Sequence, residues 1–159
     1  MGLAGLYLNV KGREASGIVA PGEESETLKR ELIEKLSNLF DEEEGQTGIR
    51  TVYATSDLYK GPYAAEAPDL IVGYNDGYRI SWDAAVGKAS THVFEDNCKA
   101  WSGDHCVDPG LVPGVLFSNR KIQIDDPGIE DMAPTALNLF GLEPPRWMEG
   151  KPLCVDVGR

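Results

Sequence analysis

The sequence is short of the residues that bind metals and staple folds. It has two histidines, His92 and His105, and three cysteines, Cys98, Cys106 and Cys154, with no C-x-x-C pair. An odd number of cysteines at such spacing argues against a disulfide framework, and free thiols in a reducing compartment are the expectation. Basic residues are scarce too. Fifteen lysines and arginines against 26 acidic residues leave a net charge of −11. No local cluster of Lys or Arg offsets that field, which repels a phosphate backbone, so nucleic-acid binding is not expected. A small phosphate ester remains compatible with it, because a bound metal reverses the field locally. Long apolar runs are missing as well. The opening "MGLAGLYLNVKGRE" has no basic leader and no extended apolar stretch before Asn9 and Lys11. Neither a signal peptide nor a membrane span is expected, and a cytoplasmic location is the corresponding expectation. No G-x-x-x-x-G-K-[ST], G-x-G-x-x-G or G-x-S-x-G motif occurs, so the usual phosphate cradles and the serine elbow are absent. There is no internal repeat, low-complexity segment or linker, and residues 1–159 read as a single structural unit.

What is present is an ordinary globular composition, 42% hydrophobic and 26% charged, with short apolar runs between turns. "GLYLNV" at the start, "IRTVYAT", "DLIVGY" and "GVLFS" read as buried strands, and "NDGYRISW" as a turn with a short alternating strand. "PGEESETLKRELIEKLSNLF" is the clearest helix. Leu28, Leu32, Leu36 and then Leu39 or Phe40 share one face, Ile33 widens it, and Glu23, Glu24 and Glu26 favour its N-terminal dipole. At ~1.5 Å per residue this helix is roughly 25 Å long, enough to cover one face of a sheet. "EDMAPTALNLFGLEPP" predicts a second helix, with Asp131 as N-cap, Pro134 in the first turn and Gly141 as the stop. The alternation of strands and helices predicts an α/β fold with a mixed, mostly parallel sheet flanked by helices.

The stretch "WSGDHCVDPGLVPGVLFSNR" carries the chemistry. His105 follows a Gly-Asp pair on a loop that runs into a predicted strand, where α/β sites gather their functional groups. It reads either as a metal ligand or base, or as a histidine within a turn. His92 lacks such a setting and reads as a loop residue. Cys98, His105 and Cys106 do not match structural-zinc spacing. Asn9, Lys11 and Arg13 alternate after the first strand, where they form either an anion contact or a solvated strand end. One histidine does not hold a catalytic zinc by itself, and no other ligand cluster is visible.

Four stretches in order, "GLYLNVKGREASGIVAPGEE", "LYKGPYAAEAPDLIVGYNDGYRISW", "SGDH" and "IEDMAPTALNLFGLEPPRWMEGKPL", resemble the alkaline phosphatase superfamily. The similarity is greatest to its type I phosphodiesterase/nucleotide pyrophosphatase branch and spans Gly5 to Leu153. It implies an alkaline phosphatase-like sheet between helical layers, two divalent metals, usually zinc, and attack on phosphorus by a Thr or Ser. His105 matches the metal-ligand histidine that closes the family's ligand series. Asp104 adjoins it and would orient a ligand or water. The nucleophile and the upstream Asp and His ligands have no counterpart, so no catalytic residue is assigned and the substrate-binding residues are unknown. The resemblance therefore implies the C-terminal part of a phosphoester hydrolase, inactive alone, with zinc bound only when the rest of the site is supplied. An incomplete sheet predicts a homo-oligomer or an N-terminal partner segment. The alternative is a stand-alone binding or protein-interaction domain without a metal site.

Overall fold

The structure, a computed structural model, describes residues 4–101, 103 and 106–154. Although no change of composition marks it, the chain divides into two compact units, Met1–Pro113 and Gly114–Arg159.

The first unit is built on a four-stranded sheet, β1 (Gly5–Leu6), β2 (Leu39–Asp41), β3 (Gln46–Ala54) and β4 (Leu70–Tyr74), in the order β1-β4-β3-β2. The α/β character holds, but each ladder of this sheet is antiparallel, which corrects the expectation of a mostly parallel sheet. Parallel pairing among the described residues is confined to the isolated bridges Val10–Val19, Lys11–Glu14 and Tyr74–Val107. The connections explain the difference. A parallel neighbour needs a long crossover, usually a helix. Here an acidic turn folds β2 directly onto β3, and the link from β3 to β4 carries only a four-residue helix, α2 (Thr55–Leu58), and a short 3₁₀ turn.

The core is small. Val52, Leu70 and Val72 are buried, with Leu70 fully inaccessible. Leu32, Ile33 and Leu36 of the long helix α1 (Glu23–Leu36) pack against them from one side of the sheet. Three glutamates in its first turn match the helix dipole, as the sequence pattern requires. The apolar stripe outlasts the helix, however. After Ser37 the chain reverses at Asn38, in the left-handed region at φ 59, and Leu39 and Phe40 enter β2. The Ser37 hydroxyl accepts the Val52 N–H at 3.1 Å, so the helix end is stitched to the neighbouring strand. Residues 75–82, predicted as turn and strand, form a turn leading into a 3₁₀ segment, Trp82–Val86.

Asp69, at the entry to β4, joins the remaining pieces. Its carboxylate accepts the Leu8 N–H at 2.8 Å and two Arg13 N–H groups at 3.1 and 2.6 Å. Arg13 also donates to the Leu8 carbonyl at 2.7 Å and to Glu14 at 2.6 Å, and Glu14 in turn accepts the Val10 N–H. Lys29 of α1 stands 3.9 Å from the same carboxylate. The turn-rich "KGREASG" segment is thus folded back onto the sheet by its own arginine, and Arg13 is taken up by this contact. Burial alone would raise the Asp69 carboxyl. The Arg13 guanidinium and the Leu8 N–H outweigh it and hold the group below the usual carboxylate range.

The second unit is held by a comparable device. Its helix α3 (Met132–Leu139) follows a 3₁₀ turn, Ile129–Asp131. Asp131 precedes the helix as expected, but its side chain does not cap it. Instead the carboxylate accepts the Lys151 N–H at 2.7 Å and the Gly128 N–H at 2.9 Å, and these two donors lower its pKa. Thr135 donates to the Asp131 carbonyl at 2.5 Å and accepts the Leu153 N–H at 2.9 Å. The Asp and Thr of "DMAPT" therefore hold the "GKPL" segment against the start of α3. Gly141, at φ 71, ends the helix region. "GVLFS" is not a strand: Val115 is 84% and Phe117 92% exposed. Strand propensity is realised only against a neighbouring strand, and this unit has none among its described residues.

The depressed Asp69 pKa sets a pH dependence. A carboxylate depressed in the folded state contributes stability above its unfolded pKa, and that contribution is lost as pH falls through the folded value. Denaturant unfolding of the wild type is expected to weaken below about pH 4. Asp69→Asn should cost about 2 kcal/mol at pH 7, because it leaves charged hydrogen bonds unmade, and should flatten the acid limb. Equal acid slopes in the two proteins would remove Asp69 from that role.

Candidate functional site

His105 and Asp104, the sequence-predicted site residues, lie outside the described residues. The residues on either side of them are described, and both flanks are tied down. On the leading side, Arg79 donates to the Gly103 carbonyl at 3.1 Å, and its guanidinium lies 4.2 Å from the centre of the Trp82 ring. On the trailing side, Val107 bridges to Tyr74 at the C-terminal end of β4, and the Asp108 N–H donates to the Tyr74 carbonyl at 2.8 Å.

Asp108 is the anchor of the trailing side. It is 2% exposed. Its Oδ2 accepts the Tyr53 hydroxyl at 2.9 Å and its Oδ1 the Gly110 N–H at 2.8 Å. Strand alternation explains why Tyr53 is available. Val52, Leu70 and Val72 form the core, so Tyr53, Ile71 and Gly73 face the other way. Asp108 sits directly on Gly73, where a Cβ would come within 2.4 Å of Oδ2. Only a residue without a side chain permits this close approach. Burial, then the Asp108 hydrogen bond, push the Tyr53 phenol up, so it remains a proton donor further into the alkaline range.

A second group packs at the far end of β3. The Tyr78 and Phe94 rings meet edge to face at 5.5 Å, and the Tyr78 hydroxyl donates to buried Asp41 at 2.9 Å. Asp41 also accepts the N–H groups of Glu43 and Glu44, which shapes the acidic turn.

The described residues do not by themselves fit a metal. Among them no group of three or more His, Cys, Asp or Glu side chains is placed to hold one. Both oxygens of Asp108 already accept hydrogen bonds. His92 is exposed, and its N–H donates to Ser90 in a local turn. Cys98 is exposed, Cys106 half-buried and Cys154 buried, and none of the three is in a disulfide. Tyr53, Arg79 and Asp108 escape a reading of the sequence. The "DPG" turn signal marks Asp108 as a turn former, but nothing local shows that its carboxylate faces a strand tyrosine.

No family model, curated protein or solved structure matches this chain.

Gly73→Ala drives a methyl group into Asp108 and should cost about 1–3 kcal/mol by overpacking. Tyr53→Phe leaves one Asp108 oxygen without its donor, at a cost of about 1–3 kcal/mol. Both act on the same carboxylate, so the double variant should cost clearly less than the sum. Strict additivity in thermal or denaturant unfolding would show that the two do not share Asp108.

Proposed function

We propose that this chain is the C-terminal portion of a metal-dependent phosphoester hydrolase, and that it contributes one metal ligand, His105, to a site completed by other segments. The observation that supports the reading is the double tether around Gly-Asp-His. Gly103 is held by Arg79, and the segment from Val107 is held at the C-terminal end of β4 by Asp108. A ligand needs such support, because a loose loop does not keep a donor atom within the small tolerance a metal site allows. Asp104 would orient His105 or a bound water. Zinc, when bound, supplies charge neutralisation at the ester. The chain's own part is to carry and position the imidazole. With no nucleophile assigned to it, the chain alone turns over no ester, and its partner is an N-terminal segment or a second copy.

A second reading, a stand-alone binding domain, is favoured by a different observation. Asp41, Asp69, Asp108 and Asp131, the buried aspartates among the described residues, all spend their oxygens on holding the fold. None is left over as a ligand.

Zinc content separates the two. Reconstituted with a segment that supplies the other ligands, the wild type should retain zinc, and His105→Ala should lose it; Asp104→Ala should weaken zinc affinity about 10–100-fold. Unchanged zinc in His105→Ala ends the ligand assignment. Hydrolysis of a p-nitrophenyl phosphodiester by this chain alone, lost in His105→Ala, would show that the site is already complete.

A further inference from the structure

The chain passes from β4 to Arg79 through the turn Asn75-Asp76-Gly77-Tyr78, closed by the Tyr78 N–H on the Asn75 carbonyl at 3.1 Å. The outer two residues of the turn are anchored. The Asn75 N–H donates to the Gly48 carbonyl at 3.0 Å, and its side-chain amide donates to the Thr47 carbonyl at 2.8 Å. Tyr78 is held through its hydroxyl by Asp41 and through its ring by Phe94. The inner two are different. Asp76 and Gly77 are exposed, and among the described residues neither the Asp76 carboxylate nor the Gly77 N–H takes part in a hydrogen bond or ion pair. Gly77 stands at φ 82, the position that a type II turn reserves for glycine. Nothing lies within 4 Å of where its Cβ would be, so no neighbouring side chain shields its main chain.

Asp76 is the only aspartate in the sequence that is followed by glycine. The buried aspartates Asp41, Asp69, Asp108 and Asp131 have their oxygens occupied by hydrogen bonds, and Asp83 has lysines on both oxygens. Asp76 therefore combines a free carboxyl group, an unhindered main-chain nitrogen next to it and access to water.

We propose that Asp76-Gly77 is a site of spontaneous aspartyl isomerisation that loosens this turn as the protein ages. The Gly77 nitrogen attacks Cγ of the protonated Asp76 carboxyl. The amide proton and the carboxyl hydroxyl leave as water, and a cyclic succinimide closes. Water then adds to the main-chain carbonyl of residue 76, and the bond from that carbon to the Gly77 nitrogen breaks. The product is isoaspartate, in which the main chain runs through Cβ and Cγ and the former main-chain carbonyl is the free carboxylate. Mass is unchanged, but the backbone is longer by one methylene. That methylene falls between two anchored ends, so the closing Tyr78–Asn75 hydrogen bond or the anchors themselves must give. No metal and no catalytic partner enters, so this proposal and the hydrolase reading fail independently.

The test is to hold the purified chain for weeks at physiological temperature and neutral pH and then to map its peptides. The peptide containing residue 76 should gain a second peak of equal mass. An aspartate-specific endoproteinase should leave that species uncut at residue 76, and an isoaspartate methyltransferase supplied with S-adenosylmethionine should methylate it. Asp76→Glu keeps the charge but would have to close a larger, less favourable ring, so the peak should be lost. Residue 76 is exposed, and unchanged far-UV circular dichroism is expected in this variant. Amide hydrogen exchange at Asn75 and Tyr78 should quicken in the aged wild type and stay constant in aged Asp76→Glu. Aspartate retained at residue 76 in the aged protein overturns the proposal; if a synthetic peptide of residues 73–80 isomerises under the same conditions, the folded turn is what protects it. Isomerisation without faster exchange at Asn75 and Tyr78 overturns the loosening of the turn.

Discussion

A single buried carboxylate, Asp69, sets how the first unit is assembled. It receives the main chain just after β1, the guanidinium of the following turn and, at longer range, a lysine of α1. Each of these would otherwise need separate hydrophobic fastening, and the core of Val52, Leu70 and Val72 is too small to supply much. Removing a carboxylate from water is costly, and only paired donors offset it. The arrangement is therefore all or nothing: Asp69 is tolerable because Arg13 and Leu8 meet it, and they are ordered because Asp69 is there. Asp131 repeats the logic in the second unit, with main-chain N–H groups taking the place of the arginine.

Much of the local structure was legible in the sequence. The leucine spacing and leading glutamates located α1, the apolar runs around Val52 and Val72 located β3 and β4, and Gly141 marked the end of α3. The errors have physical causes. An apolar run records that both faces of a strand are covered but not the direction of its neighbour, so antiparallel ladders were read as parallel. The leucine stripe continued past the helix because Leu39 and Phe40 keep its period, while Asn38 reverses the backbone just before them. Asp131 has the composition of a cap, yet donors far along the chain compete for its carboxylate and prevail.

The candidate site was legible only in outline. Gly-Asp-His in front of a Pro-Gly loop drew notice by composition, and its resemblance to a hydrolase family supplied a role for His105. The supports could not be read that way. Tyr53 and Asp108 lie 55 positions apart, and Gly73 matters only because Asp108 rests on it. Arg79 and Trp82 look like surface residues until the guanidinium is seen over the ring. Groups that position a loop act across the fold, and a linear pattern carries little trace of them.

The exposed "GVLFS" segment bears on the behaviour of the chain in bulk. Val115 and Phe117 present apolar, strand-forming side chains to water without a ladder beside them. Short segments of this kind are the seeds of intermolecular cross-β association, and the neighbouring Arg120 and Lys121 act as the charged gatekeepers that restrain it. Ionic strength, by screening these cations and the net charge of −11, should therefore change solubility independently of how firmly either unit is folded.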